Sequence, residues 1–144
     1  MTSRFLAKVL YTAQKDNGAF ERKIEQLVFE ASTYTDCEAA VYKYMESVTR
    51  AGFTIMKIDR FQVDYSNTSN ELMDFPFFLV KTEYKSVDNI DVKEKLLIQC
   101  ESIDEAKKIV QELDKIRFRV NDCTIKSIVE TKITDYIYAE ADEN

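Results

Sequence analysis

Histidine and tryptophan are absent from this chain of 144 residues, glycine occurs twice and proline once. Each scarcity excludes a chemistry. Without histidine there is no Ser-His or Cys-His nucleophile pair, and the commonest transition-metal ligand is missing. With Gly18 and Gly52 as the only glycines, no glycine-rich loop can wrap backbone amides around a phosphate, which excludes a P-loop. Cys37, Cys100 and Cys123 have no C-x-x-C spacing, and two of them fall within apolar patterns. They read as buried, reduced thiols, not a disulfide framework. No catalytic residue, metal or cofactor is expected. Long hydrophobic runs are missing as well. The apolar stretch Phe77 to Val80 is far below the roughly 20 residues that span a bilayer. The N-terminus carries Arg4 and Lys8 but no apolar segment of signal-peptide length, so the expectation is a cytoplasmic protein without a membrane partner.

Apolar residues make up 45% of the chain and charged residues 32%, the balance of an ordinary globular protein, long enough to bury roughly two-thirds of its unfolded surface. A net charge of -6 argues against general coating of polyanions, which needs clustered Lys and Arg, although an acidic protein can still carry a basic face. Most charges are of mixed sign along the chain. The exception is the end, where Glu140, Asp142 and Glu143 make residues 139–144 an acidic tail.

An internal repeat organises the rest. Phe5-Leu6-x-Lys8-x-x-Tyr11 recurs as Phe78-Leu79-x-Lys81-x-x-Tyr84, Glu38-Ala39 as Glu105-Ala106, and Thr54-Ile55-x-x-Ile58 as Thr124-Ile125-x-x-Ile128. Phe5, Ala7, Val9 and Tyr11 fall on one face of a first strand by the period-two rule. Asp16-Asn17-Gly18 and Asp88-Asn89 are turn signals. Return strands then place Leu27, Phe29 and Ala31, or Leu96, Ile98 and Cys100, on one face. Thr35 with Glu38 and Ser102 with Glu105 read as capping boxes that open two helices. The first helix carries Cys37, Val41, Tyr44 or Met45, and Val48 before Gly52 ends it; the second carries Ala106, Ile109, Val110 and Leu113. Long last strands follow, Phe53 to Tyr65 and Thr124 to Tyr138, in which the apolar parity changes between Ile55 and Ile58 and so predicts a bulge.

The expected fold is therefore α+β. Two duplicated ββαβ units, 1–66 and 75–138, form one pseudo-symmetric domain of mainly antiparallel sheet with two helices. The polar stretch Ser66 to Asn70, followed by Pro76, joins them.

Two strings, Ala31-Ser-Thr-Tyr-Thr-Asp-Cys-Glu38-Ala39 and Ile125-Lys-Ser-Ile-Val-Glu130-Thr131 with Asp135-Tyr136 after it, resemble those of an uncharacterised family, domain of unknown function 4494. The resemblance covers the whole chain. It implies a Bacteroidetes or phage setting, hence the host cytoplasm if phage-encoded, and it brings no established activity, catalytic residue or cofactor.

Two surfaces are candidates for binding. Lys8, Tyr11, Lys81 and Tyr84, at equivalent positions of the repeat, would make a basic and aromatic face for single-stranded nucleic acid if exposed together. Leu72, Met73, Phe75, Phe77 and Phe78 hold more apolar surface than a connection needs and would make a partner or self-association patch. Carboxylate pairs such as Asp59 with Asp64 and Glu130 with Asp135 read as ordinary solvent-facing strand residues. The functional expectation is a non-enzymatic binding module for protein interaction or assembly. The alternative is an accessory protein that binds single-stranded nucleic acid.

Overall fold

The computed structural model describes residues 2–72, 74–117 and 123–139. Met73 of the expected partner patch and the acidic residues of the expected tail lie outside the described residues. In chain order the elements are β1 (Ser3–Gln14), β2 (Phe20–Ala31), α1 (Tyr34–Val48), β3 (Phe53–Arg60), β4 (Tyr65–Asn67), β5 (Phe77–Lys85), β6 (Asp91–Gln99), α2 (Ile103–Arg117), β7 (Thr124–Glu130) and β8 (Ile133–Ile137), with a single 3-10 turn at Asn70–Leu72. The fold is α+β, and its strands form two mixed sheets. No helix among the described residues is long and apolar enough to cross a membrane.

The chain leaves a first compact unit after Gln62 and returns to it at Ile133. That unit holds the sheet β3-β1-β2-β8, with β1 antiparallel to both neighbours and β8 parallel to β2. Phe5, Ala7 and Val9 of β1, Leu27 and Phe29 of β2 and Ile58 of β3 pack against Cys37, Val41 and Met45 of α1, three positions one turn apart on a helix. The second unit holds the sheet β4-β6-β5-β7, with β5 antiparallel to β6 and β7 and β4 parallel to β6. Phe78, Val80, Leu96, Ile98 and Cys100 meet Ala106 and Val110 of α2 there. Read from their hairpins outward, the two sheets have the same order.

The expected long last strands are each two strands. A strand keeps its ladder only while its neighbour lasts, because every main-chain amide out of water needs a partner. β3 runs out where β1 begins: Phe5 faces Arg60, and the Phe61 amide makes one more bond, to the Arg4 carbonyl at 2.8 Å. β7 runs out where β5 begins, with Thr131 bonded through its amide (2.9 Å) and its hydroxyl (2.8 Å) to the carbonyl of Phe77. Pro76 precedes that residue and has no N–H to offer. Both chains then leave their sheet, and β4 and β8 pair elsewhere in parallel.

The parity change in the last strands is a bulge in both units. Pairing slips between Lys8 and Val9, which leaves Met56 as the extra residue, and between Lys81 and Thr82, which leaves Lys126. Helix starts need one correction. Thr33, not Thr35, caps α1, accepting the Asp36 amide at 3.1 Å, because Tyr34 already has helical geometry. At α2 the Ser102 hydroxyl accepts the Glu105 amide (3.2 Å), while the Glu105 carboxylate accepts the amide of Glu101 (3.0 Å). Nor does Gly52 stop α1. The helix ends at Thr49, an extended residue whose amide still reaches the Met45 carbonyl at 3.0 Å.

Both hairpins turn in the same way. Lys15 and Ala19 close the first, Ser86 and Ile90 the second, and Gly18 (φ +86°) and Asn89 (φ +62°) take the left-handed position. A Cβ at Gly18 would meet nothing within 4 Å, so a substitution there bears only the backbone cost. Gly18→Ala and Asn89→Ala should each lose about 1 kcal/mol in urea denaturation, and Asn89→Gly should lose none. Equal losses for Asn89→Ala and Asn89→Gly would refute this reading of the turn.

Candidate functional site

In the first unit, α1 buries the face bearing Cys37, Val41 and Met45 over β1 and β2. Going around the helix, Asp36, Ala39, Ala40, Lys43 and Ser47 recur at spacings of three and four, so they share the next face. Their side chains are short apart from Lys43. A groove of about 770 Å³ consequently opens between that face, the end of β2 (Glu30, Ala31, Ser32) and the end of β8 (Ile137, Tyr138, Ala139).

The far wall of the groove is held by a chain of hydrogen bonds. Tyr44, edge-on to Phe29 with ring centres 5.9 Å apart, donates its hydroxyl to Asp135 Oδ2 at 2.9 Å. Asp135 Oδ1 accepts the amide of Tyr136 at 2.8 Å. On the other face of the sheet the Tyr136 hydroxyl donates to Glu30 Oε2 (2.6 Å) and accepts from Arg4 Nε (3.0 Å). Glu30 Oε1 takes the amide of Ala139 at 3.2 Å. β8 is thus fastened by side chains to α1 on one face and to β1 and β2 on the other, as well as by its ladder to β2. Its other edge faces no strand among the described residues.

None of these groups is poised as a nucleophile. Burial, and then the Glu38 charge, pushes the Cys37 thiol up to about 11. Burial raises Cys100 as well. The Tyr44 phenol is raised first by burial and then by its bond to Asp135, and the Tyr11 phenol goes to about 12 by burial and by its bond to Glu25. Among the described residues no group of three or more Cys, Asp or Glu side chains is placed to hold a metal ion, and no buried side-chain polar atom lacks a partner.

In neither unit do the lysine and the tyrosine expected on a nucleic-acid face share one face of the sheet. Lys8 and Tyr11 are three apart in one strand, and an odd spacing puts side chains on opposite faces. Tyr11 is 7% exposed on the helix side and donates to Glu25 Oε1 at 2.8 Å. Lys81 and Tyr84 divide in the same way: Tyr84 shares the face of Phe78 and Val80, and Lys81 stands exposed on the other. The expected apolar patch is not one exposed surface either. Phe77 and Phe78 are 2% and 3% exposed, Leu72 is half-buried, and Phe75 stands at 36%. Gln99 secures the connection, accepting the Ser69 amide at 3.2 Å and donating to the carbonyls of Leu72 and Phe75. The expected carboxylate pairs are taken up separately: Asp59 by Lys57 (3.0 Å), Asp64 by the Lys95 amide (2.8 Å) and Asp135 by Tyr44.

Sequence reasoning missed Glu30, Asp36 and Lys43 as groove residues. Tyr44 was visible only as an alternative to Met45 in the helical stripe; the run of Ala39 and Ala40 was the one local sign of space beside the helix.

Three outcomes follow from the buried groups. Tyr44→Phe should lower stability by about 2 kcal/mol, the usual worth of a hydrogen bond to a charged group, read as a shift of the urea midpoint. With Ellman's reagent at pH 8, Cys37 and Cys100 should react only on unfolding, whereas the half-buried Cys123 reacts in the folded protein. The native Cys37 thiol keeps its proton to about pH 11 while an unfolded one releases it near 9. Unfolding in that window releases a proton, so stability should fall as pH rises from 9 to 11; a flat profile would contradict the assignment.

Curated proteins offer no match to this chain. Its residues 3–139 do match a family model. The chain therefore belongs to the family described as Domain of unknown function (DUF4494).

Proposed function

We propose that this protein is a non-enzymatic binding module for protein interaction or assembly, and that it lodges an extended segment of a partner polypeptide in the groove between α1 and β8. The groove is the observation that carries the reading. It has a volume of about 770 Å³, within the range of specific ligand sites, and its helical wall is low because Ala39, Ala40 and Ser47 are small. A partner segment would meet the outer edge of β8, which pairs with no strand among the described residues, on one side and the charges of Asp36 and Lys43 on the other. Extended segments commonly bind beside a sheet edge in this manner. The matching sheet orders and the bulges at Lys8 and Lys81 support descent of the two units from one duplicated ancestor.

Selection of displayed random peptides on the full chain tests the reading. Enriched extended peptides should lose at least about tenfold in affinity, roughly 1.4 kcal/mol, when Ala39→Trp fills the groove. The urea midpoint of the variant should stay near that of the parent, since Ala39 is exposed. Peptides that bind the filled variant equally well would sink the proposal.

A further inference from the structure

The second unit's sheet has two faces of different character. Toward α2 lie Phe78, Val80, Leu96 and Ile98. On the face turned away from the helix, the hairpin register sets Lys81 directly opposite Lys95 and Glu83 opposite Lys93. The bulge in β7 adds Lys126, whose ammonium reaches Glu83 at 3.8 Å. At the hairpin end Lys85 pairs with Asp91 at 3.5 Å. Glu83 and Asp91 are the carboxylates of these paired strands on this face, and each has a lysine partner. Lys81, Lys93 and Lys95 make no ion pair with any described residue, and all three are exposed. On this face β5, β6 and β7 carry five lysines against two carboxylates, in a chain whose net charge is -6, and the Asp64 carboxylate beside Lys95 accepts the Lys95 amide at 2.8 Å.

This arrangement opposes stability. Like charges directly across an antiparallel pair repel, and nothing in the core requires Lys81 to face Lys95. The lysines are spaced as an array: Lys93 and Lys95 are about 7 Å apart along β6, and Lys81 is about 5 Å from Lys95 across the ladder. On the rung beyond Lys81 and Ser127, Leu97 is fully buried and Leu79 half-buried, while Val129 at the β7 end is 57% exposed. Cations therefore stand beside one exposed apolar side chain. A polyanion that carries apolar planes between its charges uses both, whereas a bare polyphosphate uses only the first.

We infer that the lysine-bearing end of this face of the second unit binds single-stranded nucleic acid, with Lys81, Lys93 and Lys95 on phosphates and Val129 against a base. The site is separate from the groove of the first unit and takes a different class of ligand. Of the residues first considered for nucleic acid, it keeps Lys81 and does not use Lys8, Tyr11 or Tyr84. Three phosphate contacts to a single strand give a slope of about -2 for log affinity against log salt, and each lysine accounts for about 0.7 of it.

Fluorescence anisotropy of labelled oligothymidylate with the full chain, across a salt series, reads this slope. Lys81→Gln, Lys93→Gln and Lys95→Gln should each flatten it by about 0.7, and the triple variant should abolish salt-dependent binding. Lys95→Gln should also raise the urea midpoint, because it removes the repulsion with Lys81; a purely structural role for these lysines predicts a fall. Ala39→Trp should leave the titration unchanged, which separates this site from the groove. The inference is overturned by no binding at low salt, by binding that survives the triple variant, or by inorganic polyphosphate competing as well as the oligonucleotide per phosphate.

Discussion

A strand pairs only as far as its neighbour extends, and the arrangement of both units follows from that limit. β3 stops at Arg60 because β1 starts at Ser3, and β7 stops at Glu130 because β5 starts at Phe77 behind a proline. The unpaired amides beyond those points need carbonyls, and a parallel ladder is what they find. In the first unit that ladder places β8 beside β2, outside the span that α1 covers. A helix packed over β1, β2 and β3 of a sheet that continues past them to β8 leaves a recess at its side. Small residues on the flank of α1 keep the recess open.

Side-chain chemistry then makes the placement of β8 durable. Tyr44 and Asp135 join helix to strand on one face, while Arg4, Tyr136 and Glu30 join strand to strand on the other. Bonds that involve charged partners are the stronger kind, and here they also occupy the amides of Tyr136 and Ala139. Two of the residues that hold the strand, Glu30 and Tyr44, thus also line the groove. The second unit puts its free charge elsewhere, at the exposed hairpin end of a sheet face, where Lys81, Lys93 and Lys95 remain without carboxylate partners among the described residues.

Much of the fold was legible because it depends on local periodicity. Alternation marked Phe5, Ala7, Val9 and Tyr11 as one buried face, helical spacing marked Cys37, Val41 and Met45, and the parity change between Ile55 and Ile58 located the bulge of the first unit. Boundaries were less legible. Thr33 and Thr35 are both competent caps, and only the φ and ψ of Tyr34 decide between them. The candidate site was hardly legible at all. Lys8 and Tyr11 looked like a pair because they recur as a pair, yet three residues along a strand is half a period out of phase. Phe77 and Phe78 looked like a surplus for a connection, yet both are buried.

Composition and pattern by themselves determined the α+β class, the two hairpins, the two amphipathic helices and the want of histidine or glycine-loop chemistry, since each of these rests on residues near one another in the chain. Only the tertiary structure decided that the last strands divide, that β8 returns beside β2, that Glu30, Tyr44 and Asp135 meet, and that Lys81 confronts Lys95. The physical reason is one of range. Periodicity records which side of an element faces apolar surroundings, whereas the partner of a strand edge or of a carboxylate is chosen by pairing register between segments far apart in sequence.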